Sequence, residues 1–122
     1  MKFCWVTIHV ENLEKSLHFY QDILGLPLLR RFSSRGIVEI AMLGEEDMPK
    51  MELICNPSDH EEKSAAGISI GFEVASLDEA MEHMKSNRIQ ILGDPMSPNP
   101  SMRFCFVLDP DGHTVQLVEN IR

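Results

Sequence analysis

Shifted by 64 residues and laid on itself, the chain matches at both ends of the overlap in one ungapped register. Val10 falls on Val74, Leu13 on Leu77, Glu14 on Asp78 and Leu17 on Met81. Far downstream, Met51-Glu52-Leu53-Ile54 falls on Val115-Gln116-Leu117-Val118, with Ile40 on Phe104 and Met42 on Phe106. An internal repeat restricts the available folds more than any local propensity does. Two copies are too few for a solenoid, so they are expected to pack as a pseudo-symmetric pair within one 122-residue domain.

Each copy has a legible pattern. Cys4, Val6, Ile8 and Val10 alternate with Trp5, Thr7 and His9, the period of a strand with one apolar face. Ile68, Ile70, Phe72 and Val74 alternate with Ser69, Gly71 and Glu73 in the same way. Asn12 and Ser76 then stand at helix N-cap positions. Leu13, Leu17, Tyr20, Ile23 and Leu24 make one helical stripe; Leu77, Met81 and Met84 make the other, with the methionines read as core filler. Strands are predicted over 28–33, 37–43 and 50–56, and again over 89–93, 102–108 and 113–119. Asp109-Pro110-Asp111-Gly112 is a hairpin turn, and residues 94–101, with three prolines, read as a stiff irregular loop. The polar stretch 57–66, including the run from Asp59 to Lys63, reads as a solvated linker between module 1–56 and module 67–122. The fold class is therefore α+β, a βαβββ unit written twice.

Charge and composition exclude several functions. A formal net charge of −8 disfavours nucleic acid and anionic membranes as partners. No apolar run approaches the ~20 residues that span a bilayer. The start runs directly into strand-like alternation without a signal-peptide pattern, so the expected location is cytoplasmic. Cys4, Cys55 and Cys105 each sit in an apolar run and have no metal-binding spacing, so all three are expected to be buried, reduced thiols. His18, His60, His83 and His113 also lack ligand spacing and are expected at the surface or at caps.

The opposite faces of the two first strands are mixed in character, which suits the lining of a concave site. Glu52 and Gln116, each between apolar neighbours, should project away from the core. If the repeat is a true pseudo-two-fold, Trp5/Ser69, His9/Glu73 and Glu52/Gln116 are related pairs converging on one cleft. Phe104 and Phe106 either line that cleft or belong to the core. Of Arg30 and Arg31, adjacent on a strand, at most one can face it.

Residues 9–25 (HVENLEKSLHFYQDILG), 51–54 (MELI) and 109–119 (DPDGHTVQLVE) together resemble the vicinal oxygen chelate superfamily. That group includes glyoxalase I, extradiol dioxygenases and bleomycin-resistance proteins. The resemblance implies paired βαβββ modules forming a half-barrel, commonly as a homodimer. It also places the metal ligands of glyoxalase I at Trp5, Glu52, Ser69 and Gln116, of which Glu52 alone is a strong ligand type. No cofactor is expected, and the leading reading is a small-molecule binder with a degenerate metal site. Its ligand would be held by Trp5, Thr7, His9, Ser69, Glu73, Phe104, Phe106 and Gln116. Two alternatives stay open. One is a metal-independent enzyme using Glu52 or His9 for proton transfer. The other is a metal-dependent, glyoxalase I-like lyase or isomerase, whose displaced divalent metal would use His9, Glu52, Glu73 and Gln116.

Overall fold

A computed structural model describes residues 1–59 and 67–121. Most of the expected linker, 60–66, lies outside those residues. The chain divides into two compact units, Met1–Lys63 and Ser64–Arg122. Each holds a four-stranded mixed sheet and one helical segment, as the repeat requires.

In the first unit, β1 (Trp5–His9) runs into α1 (Leu13–Leu17), followed by β2 (Leu28–Ser34), β3 (Val38–Leu43) and β4 (Lys50–Cys55). The sheet order is β1-β4-β3-β2. β1 pairs with β4 in parallel and the rest is antiparallel. Asn12 caps α1, its side chain accepting the Lys15 N–H at 3.0 Å. The expected single helical stripe is in fact two geometries. After Leu17 the backbone widens into a π-helix over His18–Ile23, with the Leu24 N–H reaching the Phe19 carbonyl five residues back. In that wider turn the consecutive residues Phe19 and Tyr20 are both buried, packed edge to face at 4.8 Å, together with Ile23. Gly25 (φ +83°) ends the segment in a conformation that favours glycine. Ile8, Val10, Leu13, Leu17, Leu43, Met51 and Leu53 complete the core.

The second unit contains β5 (Ser69–Glu73), α2 (Leu77–Ser86), β6 (Ile91–Asn99), β7 (Met102–Leu108) and β8 (Thr114–Asn120), in sheet order β5-β8-β7-β6. Its register reproduces the first. Trp5 opposite Lys50 becomes Ser69 opposite Thr114, and Leu43 opposite Met51 becomes Val107 opposite Val115. Ser76 caps α2 through the Glu79 N–H at 3.2 Å. The Glu119 carboxylate accepts the Leu77 N–H at 2.7 Å, tying α2 to β8. Leu77, Met84, Val107, Val115 and Leu117 are buried.

Two expectations are corrected here. Residues 94–99 are not an irregular loop but a continuation of β6. Pairing slips between Leu92 and Met96 and between Met96 and Asn99. β6 also lies at the sheet edge, so Pro95 and Pro98 interrupt no continuous ladder. The cysteines differ too: Cys105 is buried, Cys55 is half-buried and Cys4 is exposed. Cys4 precedes the first residue of β1, where the apolar alternation has not yet reached the core.

Burial raises the Cys105 thiol pKa above its ordinary value. A disulfide-exchange reagent at neutral pH should therefore label Cys4 rapidly in the native protein and Cys105 only after unfolding. Leu53, fully buried on the central strand β4, gives a test of the core. Leu53→Ala should lower the unfolding free energy by ~2–5 kcal/mol in urea titration.

Candidate functional site

Strand alternation sorts the first sheet into two faces. Ile8, Met51 and Leu53 are buried on the core face. On the other face, Thr7 stands opposite Glu52, Glu52 opposite Met42, and Met42 opposite Arg30. Trp5 lies diagonally from Glu52 on this face, with Lys50 as its register partner, and His9 lies beyond Thr7 opposite Ile54. The Thr7 hydroxyl donates to Glu52 Oε1 at 2.8 Å. Among the described residues no lysine or arginine bridges Glu52, so Thr7 supplies its side-chain contact.

A cavity of ~720 Å³ opens at the Trp5 end of this face, lined by Lys2, Phe3, Trp5, Leu29, Arg30 and Met42 among others, with Thr7, Glu52 and His9 outside its lining. This is the size range of small-molecule sites. Trp5 is 54% exposed, so its ring is accessible from the cavity. Residues Glu46 to Pro49 form one wall. The Lys50 ammonium holds that wall in place by donating to the carbonyls of Glu46 and Met48. Arg30 lines the cavity with its guanidinium 5.4 Å from the Phe32 ring centre. Arg31 points the other way, to Glu14 and Glu39, and those partners raise its pKa further, the Glu14 hydrogen bond most. The two arginines therefore split between faces, as alternation demands.

The second sheet presents the counterpart face: Ser69, Gly71 and Glu73 from β5, Gln116 from β8, and Phe104 and Phe106 from β7. The two phenylalanines are half-buried and meet edge to face at 5.6 Å. Gly71 occupies the register position that Thr7 holds in the first unit, opposite Gln116. A Cβ there would meet only Gln116 Oε1, at 3.8 Å.

The cavity wall has no signal in the sequence. Leu29, Met42 and Met48 carry no chemistry-bearing pattern, and only the turn through Glu46–Pro49 brings them together. His113, expected at the surface or at a cap, is buried against Asp109 within the turn. Among the described residues, Asp109, Asp111 and His113 form the one group of His, Cys, Asp or Glu close enough to hold a cation, with ligand atoms within 4.8 Å of one another. These contacts also build the turn. Asp109 Oδ1 accepts the N–H groups of Asp111 (2.9 Å) and His113 (2.8 Å), and Oδ2 lies 2.9 Å from His113 Nδ1. Both carboxylate oxygens are thus engaged within the hairpin.

The chain belongs to the Glyoxalase/Bleomycin resistance protein/Dioxygenase superfamily, whose family model matches residues 2–117. It is 32% identical to a lactoylglutathione lyase of Neisseria meningitidis, over 98% of this chain and 91% of that protein. Its fold superposes on the trypanothione-dependent glyoxalase I of Leishmania major with a TM-score of 0.84, at 24% identity, covering 98% of this chain and 86% of that one. TnmS3, an antibiotic binding protein from Streptomyces sp. CB03234, superposes with a TM-score of 0.74 at 16% identity, covering 98% and 96%. These two structures share the fold. No helix among the described residues is long and apolar enough to cross a membrane.

The turn yields a direct expectation. Asp109→Ala removes a buried acceptor that satisfies two backbone donors and a ring nitrogen. Each lost hydrogen bond to a charged group is worth ~1.5–3 kcal/mol, and three are lost together, so thermal unfolding should shift down by more than ~10 °C. The shift should be the same with and without a chelator if the turn is structural.

Proposed function

We propose that this protein binds a small organic molecule in the cavity beside Trp5 of its first unit without using the metal centre of its family. The observation carrying this reading is the accessible ring of Trp5 in a ~720 Å³ cavity, at a position where metal-using relatives would place a ligand. Indole offers an N–H donor and no lone pair for an ion. Ser69 and Gln116 offer a neutral hydroxyl and a neutral amide. Glu52 is one carboxylate, with one oxygen already accepting from Thr7. Such a donor set does not fit a divalent cation, which takes several carboxylate oxygens or imidazole nitrogens. The cavity lining suits an organic guest: a flat aromatic surface at Trp5, apolar walls from Leu29, Met42 and Met48, and charged groups of Lys2, Arg30 and Glu46 to orient it. The antibiotic-binding relative of the same fold is consistent with this use. A homodimer remains the expectation carried by the family, to be read from sedimentation.

A second reading follows from the similarity to lactoylglutathione lyase: isomerisation of the adduct of methylglyoxal and glutathione. The deciding assay is thioester formation from those two compounds, using chelator-treated protein and then protein supplied with Ni²⁺ or Zn²⁺. The binding reading expects no turnover in any of these conditions. Metal-restored thioester formation would overturn it and establish the lyase.

A further inference from the structure

The edge strand β2 carries one residue more than its ladder with β3 needs. Leu28 stands opposite Leu43 and Arg30 opposite Met42, so Leu29 is the extra residue of a β-bulge. In an unbroken ladder Leu29 would face Met42, and Arg30 would face Ala41, which is fully buried on the core face. The bulge therefore decides which of the two adjacent arginines turns toward the cavity. Arg30 joins Met42 in the lining, while Arg31 falls opposite Ala41 and binds Glu14 and Glu39. The second unit has no extra residue at this step: Ile91 stands opposite Val107, and the next residue, Leu92, opposite Phe106. Leu92 is the counterpart of Arg30, so the sheet itself needs no cation here.

Charge in the lining points the same way. Lys2, Arg30 and Lys50 face two carboxylates, Glu46 and Asp47, an excess of one positive charge that a monoanion neutralises. Lys50 is committed to the carbonyls of Glu46 and Met48. Arg30 rests over the Phe32 ring, which restrains the guanidinium and takes none of the N–H fork that matches a carboxylate. Among the described residues no carboxylate stands within ion-pair distance of Arg30. Trp5 and Arg30 lie on the two outer strands of the sheet, three strand spacings or ~14 Å apart at the backbone. Two long side chains shorten that span from both ends, leaving a gap suited to a fused ring.

We propose that Arg30 is the specificity-determining residue of the cavity, and that the ligand is an aromatic carboxylate. Its anion sits on the Arg30 fork and its ring against the Trp5 indole. This rests on the small-molecule reading above and names the ligand class.

Three compounds with one ring system separate the possibilities: 2-naphthoate, 2-naphthamide and 2-naphthamidine. Titration calorimetry gives the affinities. The Cys4 thiol, which lines the cavity, locates the site by its protection from a disulfide-exchange reagent. The wild-type protein should bind 2-naphthoate most tightly, with slowed labelling of Cys4. Arg30→Gln should weaken 2-naphthoate on the order of tenfold, the lower end for a hydrogen bond to a charged group, and leave 2-naphthamide unchanged. Arg30→Lys keeps the charge without the fork and should fall between. Arg30 is exposed, so neither substitution disturbs the core. Arg31→Gln removes the same charge from the other side of β2 and should leave the naphthoate-to-naphthamide ratio at its wild-type value. A wild-type preference for 2-naphthamide, or for 2-naphthamidine through Glu46 and Asp47, would overturn the inference while leaving small-molecule binding intact. So would a ratio that survives Arg30→Gln or falls equally in Arg31→Gln, or binding that leaves Cys4 unprotected. No binding of any of the three to the wild type would overturn the binding reading as well.

Discussion

The parallel pairing of β1 with β4 is the constraint on which the first unit depends. It joins the start of the module to its end, and α1, β2 and β3 form the connection between them. Its register sets the chemistry on both faces at once. With Val6 opposite Met51 and Ile8 opposite Leu53, the core face closes; the same pairing puts Thr7 opposite Glu52. A slip of one residue would turn Glu52 toward the core and expose Met51 and Leu53. Burying an unpaired carboxylate costs several kcal/mol, so the apolar pattern and Glu52 enforce the same register.

The second unit uses that register with different outward residues. The core positions stay apolar across the repeat, as Met51 and Leu53 become Val115 and Leu117. The outward positions change in kind: Trp5 to Ser69, Thr7 to Gly71, His9 to Glu73 and Glu52 to Gln116. Packing density limits what a core position can accept, whereas an outward position is limited only by what it must bind. The units therefore agree in backbone and differ in chemistry, which is how one scaffold can serve unrelated ligands.

The features legible in the sequence are those with a strict period or a fixed local chemistry. Alternation located the faces of β1 and β5 and the split of Arg30 from Arg31. Asn12 and Ser76 were readable as caps because short polar side chains at such positions satisfy free N–H groups. Other features depend on geometry with no period of its own. The π-helix at His18–Ile23 differs from an α-helix by one residue per hydrogen-bonded ring, too little to disturb the apolar spacing. The extension of β6 through Pro95 and Pro98 depends on its edge position, which only topology reveals. His113 is buried because Asp109 folds back onto it across the turn, and Cys4 is exposed because β1 starts one residue later. The cavity walls needed the folded Glu46–Pro49 turn and were beyond any pattern in the chain.

Sequence similarity reports on the scaffold more than on the chemistry, for a physical reason. The residues that carry the resemblance are mostly those that hold the backbone: the buried stripe from Leu13 to Ile23, the Leu24-Gly25 stop, and the Asp109 turn with its three acceptor contacts. Such positions dominate any measure of identity because they are numerous and tightly constrained. The reaction of a superfamily member depends on far fewer side chains, and changing them leaves the sheets intact. At 32% identity to a lactoylglutathione lyase, this chain can keep the whole scaffold and still differ in the outward residues that decide what is bound.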